Sequence, residues 1–152
     1  MAEPTIRTYA STDSEAIVNL IAKYRAEDPA RSVDRTAIAA ALHVFAASAQ
    51  GRILVADIAG EVVGYVAVHW VPFPMIQGCE AYISDLLVSQ SVRGAGIGGI
   101  LLETVECEAR ERGCSRLMLN NRKTAPSFVQ GFYPKHGFRE REEFANFVKQ
   151  LR

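Results

Sequence analysis

The chain has 152 residues, 49% of them hydrophobic, and its 17 Lys plus Arg residues balance 17 Asp plus Glu residues. This size and composition exclude a disordered chain and indicate one globular domain over residues 1–152. The neutral balance argues against nucleic acid as a partner, because nucleic-acid binders usually carry a basic excess. No apolar run is long enough to span a membrane and the first residues do not form a signal peptide, so we expect no membrane partner and a cytoplasmic location.

The predicted elements follow the order β-α-α-β-β-β-α-β-α-β-β. Hydrophobic periodicity and cap residues give the bounds: a strand over 5–9, helices over 11–26 and 35–48, strands over 53–58, 62–71 and 81–88, a helix over 98–112, a strand over 115–119, a helix over 127–136, and strands from 138 onward and over 145–151. Ser11 or Thr12 is expected to cap the first helix, and Asp34 the second. Pro72 and Pro74 should end the ladder of the preceding strand and make 72–78 a loop.

The strand over 81–88 has no cleanly apolar face, and a β-bulge, which shifts side-chain parity within a strand, explains such a pattern. A helix separates this strand from the one over 115–119, so the two should run parallel.

The three cysteines, Cys79, Cys107 and Cys114, lack the spacing of a metal site. We expect reduced thiols, and no bound metal.

Residues 93–99, Arg-Gly-Ala-Gly-Ile-Gly-Gly, join a predicted strand to a predicted helix. The first N–H groups of a helix have no partner within it, and they carry the positive end of the helix dipole. Glycines let the backbone approach a phosphate closely. The stretch therefore predicts a site for a phosphate-bearing ligand.

Three other interpretations of this stretch compete. A Walker loop requires Lys and Ser/Thr after the glycines, where this chain has Ile100 and Leu101. A dinucleotide fingerprint expects an acidic residue after the next strand, which instead ends in Asn120 and Asn121. A plain glycine-rich turn would not require five small residues in seven.

Two motifs together resemble the GNAT N-acetyltransferase superfamily. Arg93-x-x-Gly96-x-Gly98, after a strand that ends Asp-Leu-Leu-Val at 85–88, resembles the acyl-CoA loop of that family. Residues 132–138, Phe-Tyr-Pro-Lys-His-Gly-Phe, resemble its second motif at the expected distance downstream. The resemblance implies an α/β fold: a mixed sheet of six to seven strands with one splayed parallel pair, flanked by about four helices.

The resemblance also implies an N-acetyltransferase that moves an acetyl group directly from acetyl-CoA to a primary amine of a small molecule or protein. The family pattern assigns acyl-CoA contacts, for the pyrophosphate, the pantetheine arm and the thioester carbonyl, to Leu86, Leu87, Val88, Arg93, Gly94, Ala95, Gly96, Ile97, Gly98 and Gly99. Asn120 or Asn121, at the end of the parallel strand, could also bond the arm. A turn-forming role is an equal alternative for Asn120. A homodimer is a common state of this fold.

Three residues carry the expected chemistry. The resemblance makes Tyr133 the acid that protonates the departing thiolate, although Pro134, directly after it, departs from the family pattern and should kink the helix. Glu80 is the first candidate for the base that takes the amine proton, and Asp85 is the second. Either carboxylate could instead be an ordinary surface charge.

Two other functions remain open. A non-catalytic acyl-CoA-binding module of the same fold would bind CoA without transfer. A nucleotide-dependent oxidoreductase is disfavoured by the missing acidic residue after Leu119.

Overall fold

A computed structural model describes residues 2–151, which form two compact units that divide between Asn120 and Asn121. The first unit contains β1 (Thr5–Thr8), α1 (Ser14–Ala26), α2 (Arg35–Ala46), β2 (Gly51–Ile58), β3 (Glu61–Phe73), β4 (Gly78–Val88), α3 (Ile97–Glu111) and β5 (Cys114–Leu119). The second unit contains α4 (Pro126–Val129) and α5 (Phe132–Lys135).

The first unit is built on a five-stranded sheet in the order β1-β2-β3-β4-β5. The first four strands pair antiparallel, and β5 runs parallel to β4, as predicted from the helix that connects them. The mixed α/β fold class expected from the sequence is confirmed.

Each face of the sheet packs against helices. On one face, Tyr65 and Ala67 of β3 belong to a buried cluster with Ile17 of α1 and Leu42 of α2. The residues that alternate with them on β3, such as Val66 and Val68, are also buried and lie on the opposite face. Helix α3 covers that face: Arg52, the register partner of Val68, forms a 3.2 Å salt bridge with Glu108.

An ion network fixes the start of the chain. Arg7 of β1 binds both carboxylate oxygens of Asp13, at 2.7 and 2.9 Å, and it also pairs with Asp57 of β2. Asp13 accepts a hydrogen bond from the backbone N–H of Ala10. The predicted caps Ser11 and Thr12 instead lie in a single 3₁₀ turn before α1, and Asp13 stands at the N-cap position of α1 without a side-chain capping bond. The predicted cap Asp34 is confirmed, and it accepts from the N–H of Ala37.

The connection between β3 and β4 is shorter than predicted. Pro72 lies inside β3, opposite Cys79, and only Pro74–Ile76 and Gln77 form the turn. The expectation that Pro72 ends the ladder was wrong, because β3 extends beyond β2 at this point: Gly51, the first residue of β2, pairs with His69. The N–H of Trp70 donates to the carbonyl of Gln50, on the side of β3 that faces β2. Pro72, two residues later, would direct an N–H to the same side, where β2 supplies no partner, so its lack of an N–H costs no ladder hydrogen bond.

Strand β4 contains the predicted bulge. Ala67 pairs with Asp85 and Val68 with Ile83, so Ser84 is one extra residue on β4. The parallel pairing with β5 reaches only from Cys79 to Ile83. Within the described chain, the later residues of β4 pair with β3 alone, which leaves an open edge beside β5.

The predicted helix over 127–136 is divided into two single turns. Gly131 has φ +64°, a left-handed conformation that ends the first turn. Helix α5 begins at Phe132, so Pro134 stands at its third position, where an N–H has no helical partner. The predicted kink is confirmed, and it brings the described α-helices to five where about four were expected.

The two final strands were predicted incorrectly. In the described range, residues 138–151 contain no strand, so the sheet has five strands where six to seven were expected. An alternating pattern specifies a strand only where one face is buried, whereas Phe147 is 92% exposed and its neighbours Phe144, Val148 and Leu151 are also exposed.

Candidate active site

The glycine loop, residues 93–96, begins after the helical turn Gln90–Val92 and leads into α3. Gly94 and Gly96 have φ values of +85° and +81°, which other residues rarely adopt. No atom lies within 4 Å of the position that a Cβ would take at either glycine. The backbone of the loop is therefore accessible from that side, as a phosphate ligand requires.

The first turn of α3 presents uncapped amides. Gly96 is the N-cap and has no side chain that could accept from the helical N–H groups. The side chain of Ile97 is 2% exposed and packs in the core, so this residue can offer a ligand only its backbone. The loop and the first turn, Gly94 to Gly99, thus form a concentration of N–H donors at the positive end of a 15-residue helix, although the N–H of Ala95 already donates to the carbonyl of Val92 at 3.3 Å.

Two side chains hold the loop in place. The Nε of Arg93 donates to the carbonyl of Val88 at 3.2 Å, a bond that does not use its Nη groups. The side-chain amide of Gln90 donates to Glu27, at the end of α1, at 2.7 Å. The loop is thereby tied both to the last residue of β4 and to the first helix.

The open edge of β4 leads to this loop. Leu86, Leu87 and Val88 pair with β3 and are half-buried. These are the residues that the family pattern assigns to the pantetheine arm. An extended ligand group lying along this edge would meet backbone that has no β5 partner in the described chain.

Asp85 lies at the bulge among polar groups of β3. The hydroxyl of Tyr65, a residue only 1% exposed, donates a hydrogen bond to the Asp85 carboxylate. His69 lies near this carboxylate and stabilises it when the imidazole is protonated, and its Nε2 lies 3.0 Å from the hydroxyl of Ser84. The bulge thus gathers Asp85 and Ser84 on the face of the sheet that also carries α1 and α2.

Burial raises the pKa of Asp85 above its usual value, and the Tyr65 hydrogen bond and the His69 charge partly offset the rise. The pKa of His69 is lowered, chiefly by burial. Asp85 keeps an accessible surface, so protons can exchange with it. A carboxylate of raised pKa that a ligand can reach has the properties of a general base.

Glu80 has a different environment. Its residue is 4% exposed, and its carboxylate forms a 2.5 Å ion pair with Arg116, its register partner on β5. The Arg116 guanidinium also lies over the ring of Phe73. The Glu80 carboxylate is thus engaged by Arg116 and is not free to approach an amine while this ion pair holds.

Asn120 follows β5 and donates a hydrogen bond to the hydroxyl of Tyr82 at 3.3 Å. Tyr82 also lies beside His69. The amide nitrogen of Asn120 thus has a protein partner.

Tyr133 lies in the second unit. Its ring packs edge-on against Phe132 and Phe138, with ring centroids 5.0 and 5.7 Å away. This packing fixes the ring within the motif.

The residues missed from the sequence are the partners of the two carboxylates: Tyr65, His69 and Ser84 around Asp85, and Arg116 beside Glu80. His69 lies two residues after Ala67 and four residues after Tyr65 on β3, and this alternate spacing was the available signal. The bulge that brings Ser84 to the same face could not be located to a residue from the pattern alone.

Among residues 2–151, no group of three or more His, Cys, Asp or Glu side chains could hold a metal ion. No helix in the same range is long and apolar enough to cross a membrane.

Several solved structures share this fold. A transcriptional regulator from Bacillus halodurans C-125 is 24% identical, with a TM-score of 0.83, and the match covers 98% of this chain and 100% of that one. A ribosomal-protein-alanine N-acetyltransferase from Brucella melitensis biovar Abortus 2308 is 20% identical over 98% of this chain and 100% of that one, with a TM-score of 0.74. An aminoglycoside acetyltransferase from an uncultured soil metagenomic sample is 20% identical over 98% and 97%, with a TM-score of 0.78. At these identities the likeness concerns the fold alone.

The sequence gave no match in a search of curated proteins. The model of the Acetyltransferase (GNAT) family matches residues 15–138, which include the glycine loop, both candidate carboxylates and Tyr133. This match covers most of the chain and agrees with the acyltransferase function that the motifs indicate. The chain therefore belongs to the Acetyltransferase (GNAT) family.

Proposed function

We propose that the chain is an N-acetyltransferase that moves an acetyl group from acetyl-CoA directly to a primary amine of a small molecule or protein. One observation carries the proposal: in a chain of the GNAT family, an accessible glycine loop with uncapped helical amides adjoins the open edge of β4. The first feature suits a pyrophosphate and the second suits an extended amide arm.

The glycine loop holds the donor. The backbone N–H groups of residues 94–99 bind the pyrophosphate, and the Nη groups of Arg93 add positive charge. Leu86, Leu87 and Val88 bind the pantetheine arm through their backbone, as an added strand would. Asn120 supplies a further contact to the arm if its bond to Tyr82 opens.

The chemical step forms a bond from the amine nitrogen to the acetyl carbonyl carbon and breaks the bond from that carbon to sulfur. A backbone N–H near Leu86 or Leu87 polarises the carbonyl oxygen. The amine gives up one proton, and the departing thiolate takes one up.

Asp85 takes the amine proton. Its raised pKa, its accessible surface and its place at the bulge favour it over Glu80, whose carboxylate is engaged by Arg116. Tyr65 orients the Asp85 carboxylate through its hydrogen bond. Glu80 remains the second candidate, since a water molecule could connect it to the amine.

Tyr133 supplies the proton to the thiolate, a role that rests on the family motif over 132–138. A phenol with an ordinary pKa near 10 can protonate a developing thiolate. The cytoplasmic location, the single domain over 1–152, the exclusion of nucleic acid and membrane as partners, and a homodimer remain predictions.

The test is a panel of amines incubated with acetyl-CoA, in which free thiol is followed and the amine product is weighed by mass spectrometry. We expect thiol release that depends on the amine, and an acetylated product. CoA binding without amine-dependent thiol release on any acceptor would favour the alternative, a non-catalytic acyl-CoA-binding module of the same fold.

A further inference from the structure

The parallel strands β4 and β5 bring two cysteines together at the closed end of their pairing. Cys79 and Cys114 are register partners, and their Sγ atoms lie 3.0 Å apart. Both residues are half-buried, so small reagents can reach them. The third cysteine, Cys107, is exposed on α3 and contacts neither of them in the described structure.

The local geometry suits a bond between the two sulfurs. Adjacent strands lie about 4.8 Å apart, within the Cα separation of about 4.4–6.8 Å that disulfides span. The observed Sγ–Sγ distance exceeds a disulfide bond by only about 1 Å. The pairing is also irregular between Cys79 and Glu80, where Ser115 is an extra residue on β5, so the backbone is not held by an uninterrupted ladder.

We propose that Cys79 and Cys114 are a reversible modification site, at which a low-molecular-weight disulfide such as oxidised glutathione converts the two thiols into an intramolecular disulfide. The site lies apart from the glycine loop and from Asp85. A reducing compartment keeps both thiols free, and the bond forms when the surroundings become oxidising.

The exchange runs in two balanced steps. Cys79, as a thiolate, attacks one sulfur of the small disulfide and releases one small thiol. Cys114 then attacks the Cys79 sulfur and releases the second small thiol. Two electrons pass from the cysteines to the reagent, and the two cysteine protons leave with the released thiols.

Cys79 is the first nucleophile because Cys114 is the hydrogen-bond donor of the pair. Burial and the contact with Cys79 raise the pKa of Cys114 to about 11, so it is mostly protonated at neutral pH. Once Cys79 carries the small thiol, Cys114 is the nearest sulfur that can displace it.

The test treats the folded chain with oxidised glutathione, blocks the remaining thiols with iodoacetamide, and measures intact and peptide masses. We expect a loss of two hydrogen masses with iodoacetamide added only at Cys107, one peptide pair joined through Cys79 and Cys114, and full reversal by dithiothreitol. Cys107→Ser is the matched control, and it should form the same bond. Cys79→Ser, which keeps Cys107 and Cys114, should form no internal bond.

Three outcomes would overturn the assignment: Cys79 and Cys114 both blocked by iodoacetamide after oxidation, a lasting glutathione adduct on either one, or disulfides only between molecules. The measured masses do not depend on acetyl transfer. Absence of the disulfide would therefore not argue against the proposed function, and absence of acetyl transfer would not change the measured masses.

Discussion

Asp85 owes its surroundings to a single extra residue in β4. Without the bulge at Ser84, the side chains of 84 and 85 would alternate across the sheet. With the bulge, the Asp85 carboxylate meets the Tyr65 hydroxyl and lies near the imidazole of His69. The preference for Asp85 as the proposed base therefore depends on local backbone geometry, which a count of carboxylates in the sequence does not contain.

The change Asp85→Asn should lower kcat on the best amine by about 100-fold at neutral pH, because a general base contributes on that order. In the wild type, kcat should fall as pH falls through the raised pKa of Asp85, and the variant should lose this limb. Turnover by the variant should partly recover at high pH, where the amine is already neutral. A pH–rate profile of both proteins measures these effects.

Glu80→Gln is the comparison on the same strand. We expect it to keep the acid limb of the pH–rate profile and to lose stability, since the Arg116 guanidinium loses its ion-pair partner. If Glu80→Gln loses the limb and Asp85→Asn keeps it, the roles are reversed. Thermal unfolding separates a lost base from a damaged fold.

The raised pKa of Asp85 means that its ionised form opposes folding above pH 3.8. Asp85→Asn should therefore be no less stable than the wild type at neutral pH.

Arg7→Met should destabilise the fold by about 2–3 kcal/mol at neutral pH, because it leaves the buried Asp13 carboxylate without its guanidinium partner. In the wild type this ion pair holds the pKa of Asp13 below its usual 3.8. The stability that the pair contributes is thus present above that value and lost as pH falls through the lowered pKa.

Urea unfolding of Arg7→Met and the wild type across pH 2 to 7 measures this effect. The two stability curves should converge as pH falls through the lowered pKa of Asp13, where this carboxylate becomes protonated in both proteins. A constant difference across the whole range would mean that packing of the Arg7 stem, rather than its charge, stabilises the fold.

The glycine loop is the element in which sequence and structure agree most closely. Its proposed function depends on backbone N–H groups and on glycines with positive φ, and both follow directly from residue identity. Substituting Gly96 would confuse strain with lost binding, since its φ of +81° disfavours any side chain. Ala95 is a better probe because it is exposed and already carries a Cβ without a positive φ.

Ala95→Glu should bind CoA at least about tenfold more weakly than Ala95→Gln, a control of nearly the same shape, because a carboxylate close to the pyrophosphate adds like-charge repulsion. Isothermal titration with CoA measures the ratio, and pantetheine, which lacks the pyrophosphate, should show no difference between the variants. Equal affinity of the two variants for CoA would move the phosphate site away from this loop.

The position at which helix α5 begins explains how Pro134 is tolerated beside Tyr133. Because the helix begins at Phe132, Pro134 causes no helical clash with the carbonyl of residue 130. The ring of Tyr133 is fixed by its neighbours Phe132 and Phe138. The departure from the family pattern at Pro134 is therefore accommodated locally.

Tyr133→Phe should keep the affinity for acetyl-CoA and lower kcat by about 100-fold, because it removes the phenolic proton and retains the ring. Titration and steady-state rates on the same preparation separate binding from chemistry. Wild-type turnover by this variant would leave Tyr133 as a packing residue of the motif.

At the scale of the whole molecule, the order of elements through β5 could be predicted, because each element buries one apolar face. The absence of the two expected final strands could not be predicted, since the alternation of Phe147, Lys149 and Leu151 resembles that of a strand even where no face is buried. The partners of the carboxylates depended on strand register, which local patterns specify poorly. Arg116 faces Glu80 across 36 residues of sequence, and only the parallel pairing of β4 with β5 brings them together.

The central claim is that the described backbone of the glycine loop and of the open β4 edge holds the CoA donor. Amide hydrogen exchange over the whole chain, measured alone, with CoA and with pantetheine, tests it most directly. CoA should slow exchange in peptides that cover residues 93–100 and 84–88, whereas pantetheine should slow exchange over 84–88 only. Unchanged exchange over 93–100 with saturating CoA, or equal protection of that loop by pantetheine, would contradict the account.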